Sequence, residues 1–158
     1  MSPVTMPARV IESRDPEATQ AIGVRLAGAA RPGDLICVRG DLGAGKTQLA
    51  KGFGRGLGVD DTINSPSFVL MAEYAGRLPF FHIDLYRLAD AADALGGGLI
   101  DDRQSEGVTL VEWPERLGDV VTDVRLDVDI AGTGDEPRTI TIRAGHPAMS
   151  RYLTALDG

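Results

Sequence analysis

A three-layer α/β sandwich, with a mixed, largely parallel sheet and a C-terminal antiparallel hairpin, is the fold class that these 158 residues predict. Three observations carry it. An apolar run at 35–38 leads straight into a glycine-rich loop and then a helical segment, the order of a βα unit. Further strand signals recur downstream at 67–73, 79–85 and 108–112. Near the end, two segments alternate apolar and polar residues across a glycine-rich turn, which marks a half-exposed hairpin.

Taken in order, residues 8–11 read as a short strand. Asp15-Pro16-Glu17 reads as a helix start, with an N-cap acceptor, a proline in the first turn and an early carboxylate. That helix is expected to reach about residue 30, with Ala18, Ile22, Leu26 and Ala29 on one face. Arg31-Pro32-Gly33-Asp34 is a turn, and 35–38 is a strand apolar enough to be buried on both faces. A second helix begins near Gly45. Glycines at 52, 54 and 56 lie inside it and Gly58 near its end. Each interior glycine costs roughly 1 kcal/mol relative to alanine, so the helix is expected to pack closely against a neighbour.

The acidic stretch 89–107, with Gly96-Gly97-Gly98, is expected to hold a short helix and a mobile loop. One helical turn should follow Pro114. Val124, Leu126, Val128 and Ile130 then alternate with Arg125, Asp127 and Asp129, the pattern of a half-exposed strand. The turn from Gly132 to Pro137 leads to a second alternating strand at 139–143, and a short helix at about 147–156 closes the chain.

The chain is expected to form a single domain over residues 1–158. Hydrophobic content of 43% and charged content of 25% are ordinary for a globular protein. No apolar run approaches the ~18 residues of a membrane span. The N-terminus, MSPVTMPARV, lacks a basic region followed by an apolar stretch, so neither membrane nor secretory signal is expected and the location reads as cytoplasmic. The one cysteine, Cys37, cannot form an internal disulfide and reads as a buried small hydrophobe. A formal charge of -7 suits the chain poorly to gripping nucleic acid directly, since that grip comes largely from Lys and Arg on phosphates.

Gly40 to Thr47, read Gly-Asp-Leu-Gly-Ala-Gly-Lys-Thr, matches G-x-x-x-x-G-K-[ST] in full, between a buried strand and a helix. Glycines let the backbone curl until several N–H groups converge on phosphate oxygens, and the helix N-terminus adds its positive end. Leu42, Gly43, Ala44, Gly45, Lys46, Thr47 and Gln48 are therefore candidate nucleotide contacts. Lys46 reaches the β- and γ-phosphates, and the Thr47 hydroxyl ligates Mg²⁺. The chain has 14 arginines and only two lysines, Lys46 and Lys51, so one of its two lysines stands where a compact charge is required.

Val108–Glu112 is an apolar strand ending in an acid, which puts Glu112 at the strand edge where α/β sheets bind ligands and makes it a metal-side candidate. Trp113 follows, beside the site or in the core. Phe80, His82, Asp84 and Tyr86 share one strand face, with Phe81, Ile83 and Leu85 on the other. His82 reads as a structural histidine. Asp84, near the strand end, suits positioning an attacking water or a metal-bound water. Pro66 holds Ser65 extended, and the hydroxyls of Ser65 and Ser67 suit sensing the γ-phosphate or the Mg²⁺ shell.

GDLGAGKT, then SPSF, HIDLYRL and VEWPE, in this order and in a chain of this length, resemble the TsaE (YjeE) family over about residues 12–145. The resemblance implies a P-loop NTPase-like fold and a small Mg²⁺-dependent ATPase of bacterial tRNA threonylcarbamoyladenosine biosynthesis. It implies work with a TsaB–TsaD complex, with tRNA met only through that complex. Carried across, Lys46 and Thr47 are the phosphate and Mg²⁺ ligands, and Asp84 and Glu112 are functional carboxylates, Glu112 on the metal. Trp113 is the aromatic beside the site, and Thr19 lies near the nucleotide. Gln48 and Ser67 stand where the family usually has threonine. Ser67 keeps a hydroxyl; Gln48 lacks one, though its backbone N–H remains available to a phosphate.

A small-molecule kinase would share the phosphate loop. Such kinases usually carry an arginine-rich lid, whereas 89–107 has Arg103 alone. A GTP-dependent switch lacks support, because no N-K-x-D segment is present. With no evident arginine finger, slow hydrolysis by the isolated chain is expected.

Overall fold

A strand that is apolar on both faces is stable only in the middle of a sheet, and the segment around Cys37 takes that position. The computed structural model describes residues 7–41, 43–63, 71–86, 102–115 and 124–157. Its strands are β1 (Ala8–Ser13), β2 (Leu35–Gly40), β3 (Met71–Tyr74), β4 (Phe80–Asp84), β5 (Val108–Glu112), β6 (Leu126–Ala131) and β7 (Arg138–Ala144). The α-helices among the described residues are α1 (Pro16–Ala27), α2 (Lys46–Gly56) and α3 (Ser150–Leu156). The strands form one sheet in the order β1-β7-β6-β2-β5-β4-β3. The four central strands β6, β2, β5 and β4 run parallel, and β1, β7 and β3 add antiparallel pairs at the two sides.

The core lies between this sheet and the helices. Ile36 and Val38 of β2, Leu110 of β5, Val128 of β6 and Ile142 of β7 meet Leu26 of α1 and Leu49 and Phe53 of α2 there. Cys37, Ile83 and Val111, on the other face of the central strands, are buried as well. The alternation holds from 126 to 130, with Leu126, Val128 and Ile130 buried and Asp127 and Asp129 partly exposed, whereas Val124 lies before the strand and is exposed.

Asp15 caps α1 as its sequence predicts: its Oδ1 accepts the Ala18 N–H at 2.8 Å, and Pro16 opens the helix. The helix ends at Ala27 rather than about residue 30. From Gly28 to Ala30 the N–H groups bond three residues back, to Arg25, Leu26 and Ala27, so the last turn tightens out of α geometry. α1 and α2 touch backbone to backbone. A Cβ at Gly52 would come 1.9 Å from Gln20 O, and one at Gly23 would come 2.4 Å from Leu49 O. Close packing is therefore what the interior glycines of α2 permit.

The closing segment is a 3-10 turn, Pro147–Met149, followed by α3, with Tyr152 and Leu153 buried. Tyr152 donates its hydroxyl to Asp34 Oδ2 at 2.6 Å; the same oxygen accepts the Arg31 N–H and the Arg151 guanidinium. The expected helix in 89–107 falls mostly outside the described residues, apart from a 3-10 turn at Asp102–Glu106. The start of the expected 67–73 strand and most of the turn beyond Pro114 also lie outside them. Among the described residues, no helix is long and apolar enough to cross a membrane.

Candidate functional site

Parallel strands end together, and here the ends of β2, β4 and β5 bring their following residues to one edge. Val38 and Asp84 are both in register with Glu112. After β2 the chain must reverse into α2 within a few residues. It does so with Gly43 at φ 83° and Gly45 at φ 109°, values that side-chain-bearing residues rarely adopt. Gly45 is the N-cap of α2 and offers no side-chain cap, and the first turn of α2 holds no acid. Its leading N–H groups stay available to an anion.

Lys46 folds back over this loop. Its Nζ donates to Gly40 O at 2.6 Å and Asp41 O at 3.1 Å, and lies 4.1 Å from the centre of the Trp113 ring. Burial lowers its pKa from the ordinary lysine range, while the carboxylates of Glu112 and Asp84 act in the opposite sense. The ring reaches this place because Trp113 has φ 61°, and among the described residues it alone combines a side chain with positive φ. Such a conformation costs on the order of 1–3 kcal/mol and persists where neighbours enforce it. Tyr86 packs on the same ring at 5.1 Å between centroids.

The Thr47 hydroxyl lies 3.3 and 3.4 Å from the two oxygens of Glu112, long for a hydrogen bond. Glu112 is buried, and its Oε2 is 2.5 Å from His82 Nε2. Asp84 Oδ1 accepts the Tyr86 N–H at 3.0 Å. Lys46, Thr47, Asp84, Tyr86, Glu112 and Trp113 line a cleft of about 810 Å³ whose remaining wall comes from the β1–α1 junction and the β6–β7 turn.

Of the residues singled out from sequence, Gly43, Ala44, Gly45, Lys46, Thr47, Gln48, Thr19, Asp84, Glu112 and Trp113 all line this cleft. Leu42 and the Ser65–Ser67 segment lie outside the described residues. Two side chains are already engaged. Thr19 Oγ1 is 2.7 Å from Ser13 Oγ, and Gln48 Oε1 accepts from Gln20 Nε2 at 2.7 Å, tying the start of α2 to α1. Arg138, which opens β7, was not legible as a site residue. Its Nε donates to Ala44 O at 3.0 Å and its Nη2 to Gly43 O at 3.4 Å and Gly134 O at 3.0 Å. The one sequence signal is a long cationic side chain just past a glycine turn, and that does not say which loop it reaches.

A sequence model of the threonylcarbamoyl adenosine biosynthesis protein TsaE matches residues 13–140. The chain is 43% identical to the tRNA threonylcarbamoyladenosine biosynthesis protein TsaE of Bacillus subtilis over 131 residues, 82% of each chain. It is 34% identical to the protein of that name from Treponema pallidum over 130 residues, 82% of this chain and 96% of the relative. The crystal structure of YdiB from Bacillus superposes on it with a TM-score of 0.77 at 33% identity, covering 98% of this chain and 95% of that one.

Proposed function

The chain belongs to the TsaE family, and on that premise we propose that it is a P-loop ATPase serving tRNA threonylcarbamoyladenosine biosynthesis. The observation that carries the reading is the convergence of Lys46, Thr47 and Glu112 at the N-terminus of α2. A hydroxyl and a carboxylate are the hard oxygen donors that Mg²⁺ takes, and this ion is commonly held by one or two protein oxygens together with substrate phosphates. Among the described residues no cluster of three or more His, Cys, Asp and Glu is arranged to hold an ion without such phosphates. Thr47 and Glu112 would hold the cation, which when bound offsets charge on the phosphate oxygens.

The protein's own groups do the rest. The loop N–H groups and the α2 N-terminus hold the triphosphate by directed hydrogen bonds. Lys46 exchanges the carbonyls of Gly40 and Asp41 for phosphate oxygens, a stronger, charge-assisted contact. Trp113 and Tyr86 exclude water from one side of it. Asp84, at the end of β4, would orient the attacking water. Arg138 holds the loop by its carbonyls, so its guanidinium is occupied and unlike an arginine finger.

Replacing Glu112 with glutamine tests this. ATP with Mg²⁺ should still change the fluorescence of Trp113, the sole tryptophan, while hydrolysis should fall by at least ~100-fold. Unaltered turnover would remove Glu112 from the mechanism. The proposal extends to assembly with TsaB and TsaD homologues. The chain should copurify with them in ATP and less so in ADP; equal recovery in both would separate the association from the nucleotide.

A further inference from the structure

His82 has 0% exposure, inside a core otherwise made largely of hydrocarbon. Its ring lies parallel to that of Phe80, at 2° and 6.2 Å, which fixes its plane. Its Nδ1 meets no hydrogen-bond partner among the described residues. A buried polar atom left that way costs roughly 1–3 kcal/mol, so a side chain needed only to fill this volume would serve better as leucine or phenylalanine. The polar contact found for the ring goes to the candidate site, where Nε2 stands 2.5 Å from Glu112 Oε2. A carboxylate that ligates a cation only accepts, so in that role the contact calls for the tautomer with Nε2–H as donor.

That contact decides how Glu112 can be oriented. The Thr47 hydroxyl is 3.4 Å from Oε1 and 3.3 Å from Oε2, too evenly placed and too distant to choose between them. His82 does choose. With Oε2 engaged by His82, Oε1 is the Glu112 oxygen that keeps no hydrogen bond shorter than 3.4 Å among the described residues, and Glu112 lines the cleft.

We propose that His82 is a positioning residue that clamps Oε2 of Glu112 and thereby aims Oε1 at the divalent cation of the nucleotide complex. The proposal rests on the reading of Glu112 as a cation ligand. His82 itself touches neither cation nor nucleotide. It stands behind the ligand, where removal of such a partner typically costs about 10–100-fold in metal affinity or activity.

The test compares the full chain with His82→Leu and His82→Gln. The readouts are Trp113 fluorescence during a Mg²⁺ titration at fixed ATP, ATP affinity in EDTA, and folding by circular dichroism. Leucine should move the Mg²⁺ midpoint upward by about 10–100-fold and leave metal-free ATP affinity unchanged. Glutamine, which restores an N–H donor at similar reach, should recover most of that shift. An unshifted midpoint in folded His82→Leu overturns the proposal, as does an equal loss of metal-free affinity or a glutamine variant as impaired as leucine. Should leucine abolish folding, glutamine decides: a midpoint close to the parent's supports the clamp, and a shift of ~10-fold or more overturns it. A parent chain indifferent to Mg²⁺ would overturn the cation reading and this inference together. A Mg²⁺-dependent parent with an unaffected leucine variant would overturn the clamp alone.

Discussion

Cys37 sits in the central strand of the sheet, where its thiol is buried on the face it shares with Ile83 and Val111. Burial pushes its pKa up to about 12 from 9.0, and the nearby charge of Asp127 adds to the rise. A folded-state value above the unfolded one means that its contribution to stability is fully present below pH 9.0 and lost as the pH climbs toward about 12. In that window the unfolded chain ionises while the folded chain does not, and stability falls by up to about 1.4 kcal/mol per pH unit for the group. The buried Tyr152 phenol, raised by burial and then by its bond to Asp34, acts in the same direction. Urea midpoints measured from neutral to alkaline pH should therefore decline, and Cys37→Ala should make the decline shallower whatever it does to absolute stability. Burial of Cys37 could be read from its apolar neighbours. The engagement of Gln48 could not, because Gln20 is 28 positions away and nothing in either residue names the other. Arg138 is similar: its partners are backbone carbonyls, which have no sequence signature.

At the level of elements, the contact between α1 and α2 makes two glycines of one helix unequal. A methyl group at Gly52 would run into the backbone of Gln20, at 1.9 Å from O and 2.6 Å from Cα. Helix propensity favours alanine there by about 1 kcal/mol, but overpacking typically costs about 1–3 kcal/mol and here falls on unyielding backbone. Gly52→Ala should destabilise, at the upper part of that range. At Gly54 the obstacle is Ile63 Cδ1, the far end of a side chain that can rotate, so Gly54→Ala should cost less. Urea unfolding of the two variants checks the order, and equal losses would refute it. Strands β2, β4, β5 and β7 were legible to within a residue or two, because their alternation or apolar runs encode burial directly. The end of α1 was not. Ala29 and Ala30 suit a helix, and the tightening after Ala27 is set by the turn that leads to Asp34 rather than by local preference.

The whole molecule is tied at its far end by Asp34, which gathers Tyr152, Arg151 and the Arg31 N–H onto one oxygen. Tyr152→Phe keeps the ring and removes one charge-assisted bond, so it should lower stability by roughly 1.5 kcal/mol. Nucleotide binding, measured by Trp113 fluorescence, should not change, since this anchor contributes nothing to the cleft. A loss of binding in folded Tyr152→Phe would show that α3 governs the site. The sequence order of elements predicted a mixed sheet and a final hairpin, but not the order of strands. That order follows from which apolar edges meet across the chain, and no local pattern records it. It places β2 between β5 and β6, both made much later. Arg138, which steadies the loop after β2, lies 94 positions beyond Ala44. At synthesis rates of about 5–20 residues per second, the ribosome takes roughly 5–20 s to deliver that guanidinium after the loop has emerged. The nascent phosphate loop spends much of this interval before β5 and then β6 have been made, and non-local pairing of this kind folds slowly. Nucleotide should therefore engage the loop tightly only after the chain has been made as far as Arg138.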